Sequence, residues 1–157
     1  MIVLGIDPGL ARVGYGVIKK DGNRSTYISH GCITTDKGTE SSGERLVHIY
    51  REINSLIDIH HPENVAMEKL FFSKNISSAM SVAEVRGVIL LLCGLEGIPV
   101  EEYTPNQVKQ AVTGSGRADK KQVQEMIKRL LHLPEVPRPD DAADGLSIAL
   151  CHIYTMR

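Results

Sequence analysis

The sequence predicts an α/β fold, a mixed five-stranded sheet flanked by helices. Three observations predict it. Apolar segments at 2–6, 13–19 and 25–34 follow one another with only short turns between them, the pattern of an antiparallel meander. Beyond residue 43, helical periodicities alternate with short apolar strands at 65–68 and 99–103, as parallel crossover connections do. The 157 residues, 42% of them apolar, suit one domain over 1–157 with a sizeable core.

Each element has a local cause. Residues 2–6 run apolar into Asp7-Pro8-Gly9, a turn signal. The second strand carries Gly14 and Gly16, which suggest close backbone approach. Leu46, Ile49, Tyr50, Ile53, Leu56 and Ile57 recur at helical spacing, so a helix is expected over 43–60, stopped at His60-His61-Pro62. Residues 65–68 read as a short buried strand. A helix over 76–96 has Asn75 and Ser77 as capping candidates and Gly97 as its stop. The fifth strand, 99–103, leads to Pro105 at the first position of a short helix. Gly114-Ser115-Gly116 breaks the chain, and helices follow over 119–132 and 140–155.

Composition narrows the setting. The apolar run 88–95 is too short to span a bilayer and the N-terminus lacks a signal-peptide pattern, so no membrane association is expected. Cys32, Cys93 and Cys151 are widely spaced, which fits reduced thiols and a cytoplasmic location. The six histidines show no ligand spacing, so zinc is not expected. Net charge is −1, yet Lys109, Arg117, Lys120, Lys121, Lys128, Arg129 and Arg138 crowd the stretch 103–138 against only Asp119, Glu125 and Glu135. A basic face for a phosphate partner is therefore compatible with the neutral total.

The chemistry lies in the acids. Asp7 and Glu68 each end an apolar strand, where a charge is costly without a partner. Asp141 and Asp144 are three apart, so a helix sets both on one face near its N-terminus. Ala142 and Ala143 are small enough to let that helix approach the sheet. If the ends of strands one and four are neighbours, the four carboxylates converge. Such a cluster holds protons unless a cation balances it, and divalent metal bound by carboxylates is what phosphodiester hydrolysis uses. Each acid also has an ordinary reading: Asp7 as a turn residue, Glu68 as the partner of a buried arginine, Asp140 as a helix N-cap and Asp141 as a first-turn acid facing the helix dipole. Asp144 resists one, because Leu146, Ile148, Ala149 and Leu150 mark its helix as buried.

At this point the chain resembles the RuvC family of Holliday-junction resolvases. The resemblance rests on Gly5-Ile6-Asp7-Pro8-Gly9 with Gly14-Tyr15-Gly16-Val17-Ile18, on Glu68-Lys69-Leu70-Phe71-Phe72 with Lys74-Asn75, and on Ala83-Glu84-Val85-Arg86-Gly87. It continues through 103–109 and 114–123 to Asp141-Ala142-Ala143-Asp144-Gly145-Leu146, in order along the whole chain. Val13 departs from the threonine often found there, and Asp140 adds an acid beside Asp141, where some relatives carry histidine.

The resemblance implies a ribonuclease-H-like fold, a homodimer and paired incision of four-way junction DNA, in partnership with a branch-migration motor complex. It implies Asp7, Glu68, Asp141 and Asp144 as catalytic and metal-binding residues, with Mg²⁺ (Mn²⁺ as the alternative), two ions per subunit. Lys109 and Lys120 match lysines near the scissile phosphate, and Lys120 is expected to take part in catalysis. Phe71 is expected to stack on an unpaired base, Arg117 and Lys121 to contact the DNA backbone, and Lys74 to bind the DNA. Two other readings stand beside this one. Actin-like ATPases and sugar kinases share an early Asp before a glycine-containing hairpin but normally use two such domains. A non-catalytic junction-binding module would have little reason to keep four acids together.

Overall fold

The computed structural model describes residues 1–70 and 76–156. Its strands are β1 (Ile2–Asp7), β2 (Arg12–Asp21), β3 (Arg24–Thr34), β4 (Asn64–Glu68) and β5 (Val100–Tyr103). Its helices are α1 (Ser42–His60), α2 (Ile76–Glu96), α3 (Pro105–Thr113), α4 (Lys120–Leu130) and α5 (Asp140–Thr155). The sheet order is β3-β2-β1-β4-β5. The expected meander forms β3, β2 and β1, and β4 and β5 join in parallel. Because β1 and β4 are parallel neighbours, with Ile6 beside Met67, Asp7 and Glu68 leave the sheet at the same edge. The carboxyl ends of parallel strands are where open α/β sheets bind ligands.

Side chains alternate across the strands, so each face feeds a separate core. Val3, Ile18 and Ala66 pack with Val108 of α3, Ile127 of α4 and Leu146, Ala149 and Leu150 of α5. Leu4, Ile6, Val17, Val65 and Met67 pack with Ile49 and Ile53 of α1 and Val85, Ile89 and Leu92 of α2. The sheet is thus sandwiched between helical layers.

The seating of α5 positions the site. The helix lies on β1 and β2 with almost no side chains between the backbones. A Cβ added at Gly16 would stand 2.6 Å from Leu146 Cα, and one at Gly145 2.5 Å from the Tyr15 carbonyl carbon. Added Cβ atoms at Gly5 and Gly14 would strike the carbonyl oxygens of Gly145 and Asp141. The close approach expected of Gly14 and Gly16 is therefore real, and its helix-side counterpart is Gly145, beside the small Ala142 and Ala143.

Several local expectations change. Asp140 is not the N-cap of α5: Pro139 holds that position without a side-chain cap bond, and Asp140 is the first helical residue. Ser77 lies inside α2, so it does not cap it, and Asn75 falls outside the described residues. The start of α1 is a capping box between Ser41 and Glu44, one residue earlier than the apolar spacing indicates. The run 88–95 is only the densest part of α2, whose 21 residues are by length and composition enough to cross a membrane. Here α2 contributes Val85, Ile89, Leu92 and Cys93 to the core. Its buried Arg86 donates to the Glu68 backbone oxygen at 2.6 Å and pairs with the Glu102 carboxylate.

The seam makes a prediction. Gly145→Ala should cost about 1–3 kcal/mol or more through overpacking against backbone that cannot yield. Gly43→Ala in α1, where a Cβ meets nothing within 4 Å, should cost nothing. Urea denaturation of both variants checks this. Equal stability of Gly145→Ala and the parent would show that the helix can lift off the sheet freely.

Candidate metal centre

The register of β1 and β4 supplies two acids, and the first turns of α5 supply two more. Carboxylate oxygens of Asp7, Asp141 and Asp144 all lie within 4.8 Å of one another. Glu68 stands near enough for its charge to act on Asp7, and it lines one cleft with Asp144. Thus the structure brings together all four carboxylates that the sequence singled out. Arg86 does not neutralise the Glu68 carboxylate, since its guanidinium is committed to the Glu68 carbonyl and to Glu102. The salt-bridge reading of Glu68 therefore fails.

Electrostatics follow from this crowding. Burial, reinforced by the neighbouring Glu68 charge, pushes the Asp7 carboxyl up to about 7. Burial and the Asp7 charge push Asp144 up to about 7 as well. Burial raises Glu68, with Asp144 adding to the rise. Asp7 and Asp144 thus give up their protons only near neutrality, because burial and mutual repulsion disfavour the charged form.

One partner stands at the edge of the group. Asp119 caps α4 in a box with Gln122, which sets Lys120 at the first position of the helix. Its Nζ lies 3.4 Å from Asp140 and 3.8 Å from Asp144. Burial pulls the Lys120 ammonium down, but Asp144 and Asp140 more than offset it and the net shift is upward. Thr104 and Gln107 form the corresponding box on α3, with Pro105 at its start. Lys109 of that helix joins Lys120, Glu68 and Asp144 around a cleft of about 250 Å³. Arg117 and Lys121 line a separate depression of about 610 Å³. Phe71 and Lys74 lie outside the described residues.

Sequence reasoning missed three polar neighbours. Arg12, just past the β1–β2 turn, approaches Asp141 at 3.7 Å. Gln124 donates to Asp140 at 3.2 Å. Arg86 fixes the end of β4. Arg12 could have been flagged by its place after the Asp7 turn, whereas the other two needed the tertiary fold.

The donor set fits a hard divalent cation. Asp7 from the end of β1 and Asp141 and Asp144 from the start of α5 offer only carboxylate oxygens, the donors that hard divalent cations take. A cation would take the place of the protons that the cluster otherwise retains.

Comparison with known proteins gives a consistent result. The family model described as crossover junction endodeoxyribonuclease RuvC matches residues 3–152. A crossover junction endodeoxyribonuclease RuvC of Pseudothermotoga lettingae is 55% identical over 152 residues, covering 97% of this chain and 93% of the relative. The fold superposes on Thermus thermophilus RuvC in complex with Holliday junction substrate with a TM-score of 0.93 at 36% identity, over 98% of this chain and 93% of the other. The yeast mitochondrial Holliday junction resolvase Ydc2, at 16% identity and a TM-score of 0.68 over 97% of this chain and 78% of its own, shares the fold.

The raised acids predict a pH signature. Below about pH 4, Asp7 and Asp144 are protonated whether the chain is folded or not. Between about 4 and 7 the unfolded chain releases those protons while the folded one keeps them, so this contribution to stability falls as pH rises. In EDTA, this contribution should therefore lower Tm across that window and level off above it. Mg²⁺ should raise Tm more at pH 8 than at pH 5.5, and Asp7→Asn should flatten the slope. A metal-free melting curve with the same pH dependence in parent and variant would contradict the assignment.

Proposed function

Because this chain belongs to the RuvC family of crossover junction endodeoxyribonucleases, we propose that it resolves four-way (Holliday) DNA junctions by metal-dependent hydrolysis, with Asp7, Glu68, Asp141 and Asp144 as the catalytic and metal-binding carboxylates. The observation that carries this reading is the convergence of those acids, two of them with pKa values raised to about 7, in one partly buried group. When bound, divalent metal supplies Lewis-acid stabilisation of the charge that develops on the phosphate. Mg²⁺, or Mn²⁺ in its place, at two ions per subunit, suits this donor set.

The protein's own groups have distinct tasks. The carboxylates orient the cations and, once ionised, can accept a proton from the attacking water. Lys120, held above its ordinary pKa by Asp144 and Asp140, stays charged and cannot serve as a base. It offers positive charge to the phosphate in the transition state, and Lys109, in the same cleft, holds the adjoining strand. Arg117, Lys121 and Lys74 contact the DNA backbone, and Phe71 stacks on an unpaired base at the crossover. A purely binding module is disfavoured, because a cluster of anions repels the phosphates it would have to hold. Residues 1–157 act as one nuclease domain, in the cytoplasm, alongside a branch-migration motor.

Paired incision calls for two sites related by a two-fold axis, and α2 is suited to that axis. Met80, Leu91 and Leu95 are exposed, and Gly87 and Gly94 leave open space. These positions recur along one stripe of the helix, apolar enough to bury against a second copy.

Asp7→Asn or Glu68→Gln should abolish nicking of a synthetic mobile junction in Mg²⁺ while junction binding survives. Lys120→Ala should lower the rate at saturating junction by about 10²–10³-fold, the usual effect of removing one transition-state donor. Mapped nicks and gel-shift titrations test both. Full cleavage by Asp7→Asn would sink the site.

The assembly has its own test. Sedimentation at micromolar concentration should give a dimer, and Leu91→Asp should give a folded monomer that no longer cuts both strands in one encounter. A parent protein that stays monomeric even on saturated junction would refute the arrangement.

A further inference from the structure

The cleft of Lys109 and Lys120 accounts for one flank of the acidic group. A second cleft adjoins it across Gln124, which lines both. This one has a volume of about 460 Å³ and is bordered by Arg12, Gln124, Val136, Arg138 and Asp140. Nothing in the function derived so far uses its two arginines.

Arg12 stands beside Asp141 much as Lys120 stands beside Asp144: the distances are 3.7 and 3.8 Å. Its side chain is 63% exposed, so the contact contributes little to stability, since surface ion pairs are worth about 0–1 kcal/mol. Arg138 is exposed, and among the described residues it has no acidic partner within 4.0 Å. Two exposed guanidinium groups on one cleft that also borders Asp140, beside the acidic group, form a surface for an anion. The planar fork of arginine suits phosphate oxygens. Once Asp141 is engaged by a cation, its hold on Arg12 weakens and the guanidinium is free to turn to a phosphate.

We propose that Arg12 and Arg138 form a second phosphate-binding arm, which grips the backbone of the cut strand beside the scissile phosphate while Lys109 and Lys120 hold it on the first flank. The proposal rests on the nuclease reading and adds to it the other half of the strand's path. It explains why the basic stretch extends to Arg138, well past Arg117 and Lys121 with their separate depression. Both arginines act on the DNA backbone, so their contribution is independent of base sequence.

The experiment measures junction affinity against salt concentration in the Asp7→Asn background, which binds without cutting. Arg12→Ala and Arg138→Ala should each weaken binding and flatten the log–log salt slope by about 1, and the double variant by about 2. Arg24→Ala, at the far end of the β2–β3 hairpin, should change neither. In otherwise unsubstituted protein, Arg12→Ala should also slow cutting at subsaturating junction, with recovery when junction is raised, and melting temperatures should be unchanged. An unaltered slope in both single variants, with junction cutting intact, overturns this proposal and leaves the nuclease reading standing. So does tighter Mg²⁺ binding by Arg12→Ala with junction affinity unchanged, because Arg12 would then only stand in for the metal. Failure of the unsubstituted protein to bind or cut the junction overturns both.

Discussion

Asp7, Glu68, Asp141 and Asp144 are acids crowded together in a partly buried group, and their repulsion is the force the fold must contain. Left to relax, each carboxylate would turn outward to solvent. None has that freedom, because each is fixed to an element that the core holds for other reasons. Asp7 is the last residue of a strand paired on both sides, and Glu68 ends the neighbouring strand. Asp141 and Asp144 ride on a helix pinned by the backbone contacts of Gly16 and Gly145. The apolar cores on both faces of the sheet thus sustain a locally unfavourable arrangement, and the raised pKa values of Asp7 and Asp144 follow from that burial and crowding.

The surrounding polar groups divide between holding and balancing. Arg86 holds. It ties the end of β4 to α2 and β5 through the Glu68 carbonyl and the Glu102 carboxylate, leaving the Glu68 carboxylate unneutralised. Lys120 and Arg12 balance, each at 3.7 Å or a little more from one acid of the site. They are close enough to lower the local negative potential and exposed enough to meet a phosphate. A cluster fully neutralised by arginine would have no use for a metal, and one without nearby cations would repel its substrate.

Much of this was legible in the sequence, and for identifiable reasons. Apolar period reveals strands and helices, so the meander, the crossovers and the helix bearing Asp141 and Asp144 could be read directly. The acids stood out because charge at the end of a buried run is expensive. What could not be read were pairings between distant segments. That Arg86 would serve Glu102 and a carbonyl rather than the Glu68 carboxylate depends on how α2 lies across the sheet. Pro139 took the N-cap place expected of Asp140, because Asp140 is drawn into α5 beside Lys120 and Gln124. The membrane-length apolar character of α2 does not show as one unbroken run, because Glu84 and Arg86 interrupt it.

The seam between α5 and the first two strands has a consequence for how such a protein can change over time. Most packing faults are repairable, since a neighbour's side chain can be trimmed to make room for an intruding methyl group. Here the atoms that would collide are the Gly145 and Asp141 carbonyls and the Leu146 Cα, which every amino acid carries. No second substitution removes them. Gly5, Gly14, Gly16 and Gly145 are therefore locked by geometry rather than by chemistry, and the spacing of the acids is sheltered from drift by residues that carry no side chain at all.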